Sequence, residues 1–218
     1  MGHKDDKSTM KYIIMAGGDY TKWETPKQLT VINGEPLIAR TIRLLREAGV
    51  TDIAISTNNP VFKQFGIPLL HHKNDFVTDG SENCTGFWVD CFYPTGKPAC
   101  YIFGDVYFSP EAIKTIVGYK TKDVMLFGSK PPFADDYPKV WREPFAFKVA
   151  NQQRFRQGIE ETKSLCIAGV FNRHPIAWQL WNVLCHTPPN RKNGTYHVIN
   201  DYTCDIDSPN DIEKLGGR

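Results

Sequence analysis

"KYIIMAGGDYTKWETPKQLTVINGEPLIARTIRLLREAGVTDIAIST", Lys11–Thr57 of a 218-residue chain, carries the local signals that set the architecture. Its first five residues read as a buried strand, apolar from Tyr12 on, and the run stops at Gly17-Gly18. A loop follows to Pro26. Leu29–Ile32 then reads as a short strand closed by Asn33-Gly34, a pair that accepts the positive φ of a tight turn. Beyond it, apolar residues fall at Leu37, Ile38, Thr41/Ile42 and Leu45, with Arg40, Arg43, Arg46 and Glu47 opposite. That spacing predicts a helix with one buried face, Pro36 in its first turn and Gly49 at its stop. "TDIAIST" is a second strand. Strand, helix and strand at this separation form a βαβ unit, so at least part of the sheet is expected to be parallel.

The alternation continues outward. Ile67–Leu70 is a strand candidate, Thr85–Phe92 a helix with Thr85 as its cap, and "ACYIFGD" a strand ending at Gly104-Asp105. "SPEAIKTIVGY" predicts a helix capped by Ser109, and "DVMLFGS" another strand. The first 130 residues therefore read as an open α/β sheet, and the chain as one domain over 10–218. Residues 130–165 change character: Pro and aromatics dominate, strand-like pieces occur near Val140 and over Phe145–Val149, and the stretch is expected as a substrate-side insertion. "SLCIAGVF" reads as a strand, "HPIAWQLWNVL" as a helix, and "TCDIDSPNDIEKL" as a strand end feeding a helix capped by Ser208. Residues 1–9 are polar and are expected to be disordered or tag-like.

Composition narrows the function classes. Apolar residues make up 41% and charged residues 23%, as in a globular protein. A net charge of +2 with no Lys/Arg run argues against nucleic acid as a partner. No window reaches the apolar length of a membrane span, and the N-terminus has no apolar signal core, so the expected setting is cytoplasmic. The six cysteines form no C-x-x-C pair and are read as reduced thiols.

Three places carry chemistry. The Gly17-Gly18 turn lets backbone N–H groups approach an anion, and Lys22 and Lys27 add charge; an ordinary basic surface turn has the same residues. Neither a Walker-type loop nor G-x-G-x-x-G is present. Asp105 stands at the carboxyl end of a very apolar strand, the edge where open α/β sheets bind ligands. Asp205 and Asp207 alternate on an extended segment and share a face, so that one can bind a metal while the other supports it. Mg2+ takes one or two protein carboxylates and leaves its remaining positions to water and phosphate, an economy that Asp105 with Asp207 fits. His71-His72 is a poor candidate, because neighbours on a strand face opposite ways.

The segment "MAGGDYTKWETPKQLTVINGEPLIARTI", together with "FGDVYF" and "DIDSPNDIEKL", resembles the MobA-like nucleotidyltransferases, relatives of the choline-phosphate, methylerythritol-phosphate and sugar-phosphate nucleotidyltransferases. The resemblance implies a single-domain, Rossmann-like α/β fold of the GT-A or nucleotide-diphospho-sugar transferase type: a mixed, mostly parallel sheet with helices on both faces. It implies a Mg2+-dependent transfer of NMP from an NTP to a sugar or alcohol phosphate with loss of pyrophosphate. CTP is favoured from the "PKQ" likeness to cytidylyltransferases. Residue by residue, Ala16, Gly17 and Gly18 would line the nucleotide, with Ser81, Asn83 and Thr85 near base and ribose. Lys22, where the family has arginine, Lys27 and Asp105 would be catalytic, Asp105 and Asp207 would hold the metal, and Lys148 would reach the acceptor phosphate. Lysine for arginine loses a planar fork, and Asp19 brings a carboxylate into the same loop. A phosphate monoester is mostly dianionic at neutral pH, with a second pKa of about 6, so the attack needs no general base. The rivals are a nucleotide-sugar-dependent glycosyltransferase, because "DID" has the D-x-D form, and an inactive nucleotide-binding protein.

Overall fold

The computed structural model of the chain describes residues 10–17, 23–71, 87–133, 135 and 137–216. Lys11–Met15 (β1) is the expected first strand, buried over its last four residues. Val31–Ile32 (β2) and Glu35–Pro36 (β3) pair as a hairpin around Asn33 and Gly34, whose φ values of 53° and 80° are those a two-residue turn of this hand requires. Leu37–Glu47 (α1) buries Leu37, Ile38, Thr41, Ile42, Leu44 and Leu45, the face marked by the apolar spacing. The chain then runs through Ile53–Ser56 (β4), Leu69–Leu70 (β5), Ala99–Phe103 (β6), Val106–Tyr107 (β7), Pro110–Gly118 (α2), Val124–Gly128 (β8) and Pro144–Val149 (β9). Gln152–Ile167 (α3), Ala177–Leu184 (α4), His197–Val198 (β10), Cys204–Asp205 (β11) and Pro209–Leu215 (α5) complete it. Ser109 caps α2 by accepting from the Ala112 N–H, as its position before Pro110 predicts.

Among the described residues, seven strands form one sheet in the order β10-β8-β9-β6-β1-β4-β5. β1 pairs in parallel with both β4 and β6, and β9 runs antiparallel to both neighbours, which gives the mixed, mostly parallel sheet read from the sequence. The chain builds outward from β1 to β4 and β5, then returns to the other side of β1 to lay down β6. The order therefore reverses between β1 and β6, and the crevice beyond their carboxyl ends is where such a sheet takes a ligand.

Gly104 makes that edge. A Cβ at this position would lie 2.4 Å from the Met15 carbonyl oxygen, to which the Gly104 N–H donates at 3.0 Å. Only glycine lets the ends of β1 and β6 close this tightly, and the residue it delivers to the edge is Asp105. A two-stranded ribbon then brings the C-terminal segment alongside: β7 and β11 pair antiparallel, and the Ile206 N–H donates to the Asp105 carbonyl at 2.9 Å. Ile32, Leu37, Tyr107, Cys204, Ile206 and Leu215 form a small buried cluster beneath the ribbon, apart from the main core of the sheet.

Several expectations change. Ser164–Phe171 is not a strand: α3 runs to Ile167, and its buried residues Phe155, Gly158, Ile159 and Thr162 carry a helical spacing. Leu29 belongs to a 3-10 turn, Lys27–Leu29, and the strand starts at Val31. The described part of the Thr85–Phe92 candidate is a 3-10 helix over Trp88–Cys91. Val140 is 81% exposed and lies outside any strand. Phe145–Val149 is a strand, and it sits inside the sheet between β8 and β6, so the latter half of 130–165 is part of the core. Cys91, Cys100, Cys166, Cys185 and Cys204 are free thiols. No helix among the described residues is long and apolar enough to cross a membrane.

Candidate active site

The edge of β6 and the ribbon bring together three of the residues singled out in the sequence. Lys27 Nζ lies 3.5 Å from Asp105 Oδ2 and 3.3 Å from Asp207 Oδ1. Lys27 is held there because Pro26 starts a 3-10 turn in which Gln28 is buried, with its Cγ 3.0 Å from where a Gly104 Cβ would stand. The two aspartates are 102 residues apart in sequence and Lys27 is 78 from Asp105, so only the fold assembles them. Ala16 is buried at the end of β1, its N–H donating to Ser56 at 2.9 Å, and Gly17 follows it at the same edge.

Behind this outer pair stands a cation that the sequence reading missed. Lys139 Nζ lies 2.9 Å from Asp205 Oδ1, 2.9 Å from Asp207 Oδ2, 3.0 Å from Glu143 Oε1 and 3.4 Å from Asp211 Oδ2. Its side chain is 3% exposed, against 18% for Lys27. Two of the contacts, to Asp205 and Asp207, are hydrogen bonds donated by the ammonium, and the contact to Glu143 is an ion pair. Glu143 is fixed in turn: its Oε2 accepts from the Tyr137 hydroxyl at 2.7 Å and from the Asp205 N–H at 3.0 Å. Asp211 Oδ2 accepts from the N–H groups of Asp207 and Ser208 at 3.0 and 2.9 Å, which ties the start of α5 to the cluster. The alternation of Asp205 and Asp207 does place both on one face, and that face is turned to Lys139.

The electrostatics follow from this geometry. Burial lifts the Asp105 carboxyl above its ordinary range, and Lys27 only partly offsets it. Burial, then the neighbouring Glu143 carboxylate, lift Asp205 well above its usual value. Burial also works against ionisation of Asp207, but the hydrogen bond and charge of Lys139, with Lys27 beyond, hold its carboxyl below the usual value. Desolvation works against the Lys27 ammonium, yet Asp105, Asp207 and Asp205 together keep its pKa raised. Among the described residues, five carboxylates face two ammonium groups here: Asp105, Glu143, Asp205, Asp207 and Asp211 against Lys27 and Lys139. The surplus is negative and entirely oxygen-based, the donor chemistry a hard divalent cation takes.

Lys148 is not brought to this group. It lies on β9 opposite Cys100, and its Nζ donates to the carbonyls of Ile116 and Val117 at 2.8 Å each, in the last turn of α2. These are helix-capping contacts in the position expected to meet the acceptor: the residue is 5% exposed and burial lowers its pKa. Gly18, Asp19, Lys22, Ser81, Asn83 and Thr85 lie outside the described residues. Of the missed residues, Asp211 had a signal, since Ser208-x-x-Asp211 is a capping-box spacing. Lys139 and Glu143, in a Pro- and aromatic-rich stretch, had none that links them to residues 205–211.

Comparison with known proteins agrees with the fold. Residues 12–83 match the family model of the MobA-like NTP transferase domain, which bears out the resemblance read from the opening segment. Over 94–95% of its length the chain is similar in fold to several solved structures. A protein from Bacillus anthracis assigned as a glucose-1-phosphate thymidylyltransferase superposes with a TM-score of 0.57 at 16% identity, over 94% of this chain and 93% of that one. HddC from Yersinia pseudotuberculosis gives 0.56 at 16% identity, over 94% and 97%. The CTP:phosphocholine cytidylyltransferase of Streptococcus pneumoniae gives 0.51 at 19% identity, over 95% and 97%.

Proposed function

We propose that this chain is a nucleotidyltransferase. It transfers NMP from an NTP, with CTP the leading candidate, to the phosphate of a small sugar or alcohol phosphate and releases pyrophosphate. A divalent ion, Mg2+, is held by Asp105 and Asp207. The observation that carries this reading is Lys27 set between Asp105 and Asp207 at the edge where the strand order reverses. When bound, the ion supplies charge neutralisation on the phosphates and polarises the phosphorus under attack.

The chain's own residues do the rest by position and charge. The Lys27 contacts of 3.3 and 3.5 Å are longer than the roughly 2.7–2.9 Å of a strong charge-assisted bond, so its ammonium is free to turn to the phosphates of the nucleotide. There it offsets charge that builds on the leaving pyrophosphate. Lys22 shares that role, and Ala16, Gly17, Gly18, Ser81, Asn83 and Thr85 bind the nucleotide; these assignments come from the sequence. Gly104, with no side chain, lets β6 close on the end of β1 and so fixes where Asp105 stands. The acceptor's phosphate arrives as a dianion and attacks without losing a proton to the protein. The choice of CTP rests on Pro26-Lys27-Gln28 and on the likeness to the pneumococcal cytidylyltransferase fold.

The test is pyrophosphate release by the full chain with each of the four NTPs against a panel of sugar, alcohol and amino-alcohol phosphates. Release with one NTP and one acceptor class is expected. Transfer from a finished nucleotide sugar without pyrophosphate would favour the glycosyltransferase reading. Triphosphate binding with no turnover on any acceptor would favour an inactive nucleotide-binding protein.

A further inference from the structure

We propose that Lys139 is a resident cation that occupies the inner carboxylates of this site, so that the site takes one divalent ion, on Asp105 and the outer oxygen of Asp207. The inference rests on the metal reading under Proposed function and specifies which carboxylates are left for the ion.

Glu143, Asp205 and Asp207 each offer an oxygen within 4.8 Å of the others, the spacing of a trio able to hold a metal. That trio is already filled. Lys139 Nζ stands 2.9–3.0 Å from one oxygen of each, in a side chain 3% exposed; it donates to Asp205 and Asp207 and pairs by charge with Glu143. Glu143 is kept from turning outward, because the Tyr137 hydroxyl and the Asp205 N–H both donate to its Oε2. Asp207 is divided between two cations of unlike character. Its Oδ2 is held by Lys139 at 2.9 Å, and its Oδ1 faces the more exposed Lys27 at 3.3 Å. The inner cation is fixed and the outer one is exchangeable, so a divalent ion displaces Lys27 and leaves Lys139 in place. Lys139 is therefore a positioning residue: by gripping Oδ2 it leaves Oδ1 facing Lys27, which also meets Asp105.

Counting Mn2+ on the full chain by electron paramagnetic resonance tests this. The wild-type chain is expected to hold one ion. Glu143→Gln keeps the contacts to Tyr137 and Asp205 and should hold one ion, with Kd within about threefold of wild type. Lys139→Met empties the inner trio and should gain a second ion, and with it a larger rise in Tm on adding Mn2+ than wild type shows; Lys139→Arg, which restores the charge, should hold one. Should Lys139→Met fail to fold, Glu143→Gln decides, since ligation by the inner trio requires it to lose the ion. Loss of the ion in Glu143→Gln, an unchanged count in folded Lys139→Met, or two ions on wild type overturns the proposal. Asp105→Asn separates this inference from the reading beneath it. If Asp105→Asn binds Mn2+ as wild type does, the outer pair itself is wrong. If it loses the ion and Glu143→Gln loses it too, the assignment of Lys139 alone fails. A wild-type chain that binds no Mn2+ overturns both.

Discussion

The two ends of the central sheet each bury a lysine, and they use it in opposite ways. At the carboxyl end of β6, Lys139 meets Glu143, Asp205, Asp207 and Asp211, with Lys27 and Asp105 a step further out. Toward the other end, Lys148 meets the carbonyls of Ile116 and Val117, and no ion pair is formed by it among the described residues. Exposure does not separate them, since both residues are 5% exposed. The partners do. Carbonyls at the end of a helix satisfy one ammonium and ask for nothing more. A set of carboxylates that outnumbers its lysines leaves negative charge to be met, and meeting it is work for a ligand. A buried lysine is thus a sign of function only when the acids around it exceed the cations.

The largest effect is expected at the active end. Lys27→Ala should lower kcat for pyrophosphate release by roughly 10²–10³-fold, the loss typical of one preorganised group that stabilises developing charge. Its circular dichroism spectrum should be unchanged. Near-normal turnover in this variant would erase the distinction between the two ends.

Lys148→Ala sharpens the same contrast from the other side. It leaves two helix-end carbonyls without their donor and should cost about 2 kcal/mol. For a chain of this size that lowers Tm by about 4–8 °C. Once folded, the variant should keep kcat/KM within about twofold of wild type. A 100-fold loss of activity with Tm unchanged would return Lys148 to the substrate.

Of the two buried lysines, the sequence draws attention to Lys148 and passes over Lys139, because neither neighbourhood shows what the side chain will meet. "FAFKVAN" places Lys148 on a strand and no more, because the register that sets it opposite Cys100 depends on where β9 enters the sheet. The βαβ opening was legible because its signals are local: the apolar face of α1, the Asn33-Gly34 turn, the stop at Gly49. Asp105 and Asp207 were legible because a strand end and a helix start mark their places. Lys139 was not, because its meaning lies in ion pairs to residues 66 to 72 positions away. The misread of Ser164–Phe171 has a plainer cause. Ile167 and Val170 look like strand interior and are 78% and 40% exposed, while the helical signal lay upstream at Phe155, Ile159 and Thr162.

A smaller effect is expected at Trp141, 56% exposed and with its ring 5.6 Å from Lys139 Nζ. If the acceptor binds beside the acid cluster, as proposed, this exposed indole packs on it, and an aromatic contact is worth about 0.5–1.5 kcal/mol. Trp141→Ala should therefore raise the acceptor KM by about twofold to tenfold and leave kcat and the choice of NTP unaltered. A change in NTP preference would move Trp141 to the nucleotide side of the cleft.

The claim beneath all of these is that acids far apart in the chain hold one divalent ion against a nucleoside triphosphate. It is tested most directly by the Mg2+ dependence of pyrophosphate release in wild type and Asp105→Asn, measured side by side with a chelator control. Release that saturates with Mg2+ in the wild type, stops with the chelator, and falls at least about 100-fold in Asp105→Asn at every Mg2+ concentration is the predicted result. Release indifferent to Mg2+, or equal in the two proteins, would contradict it.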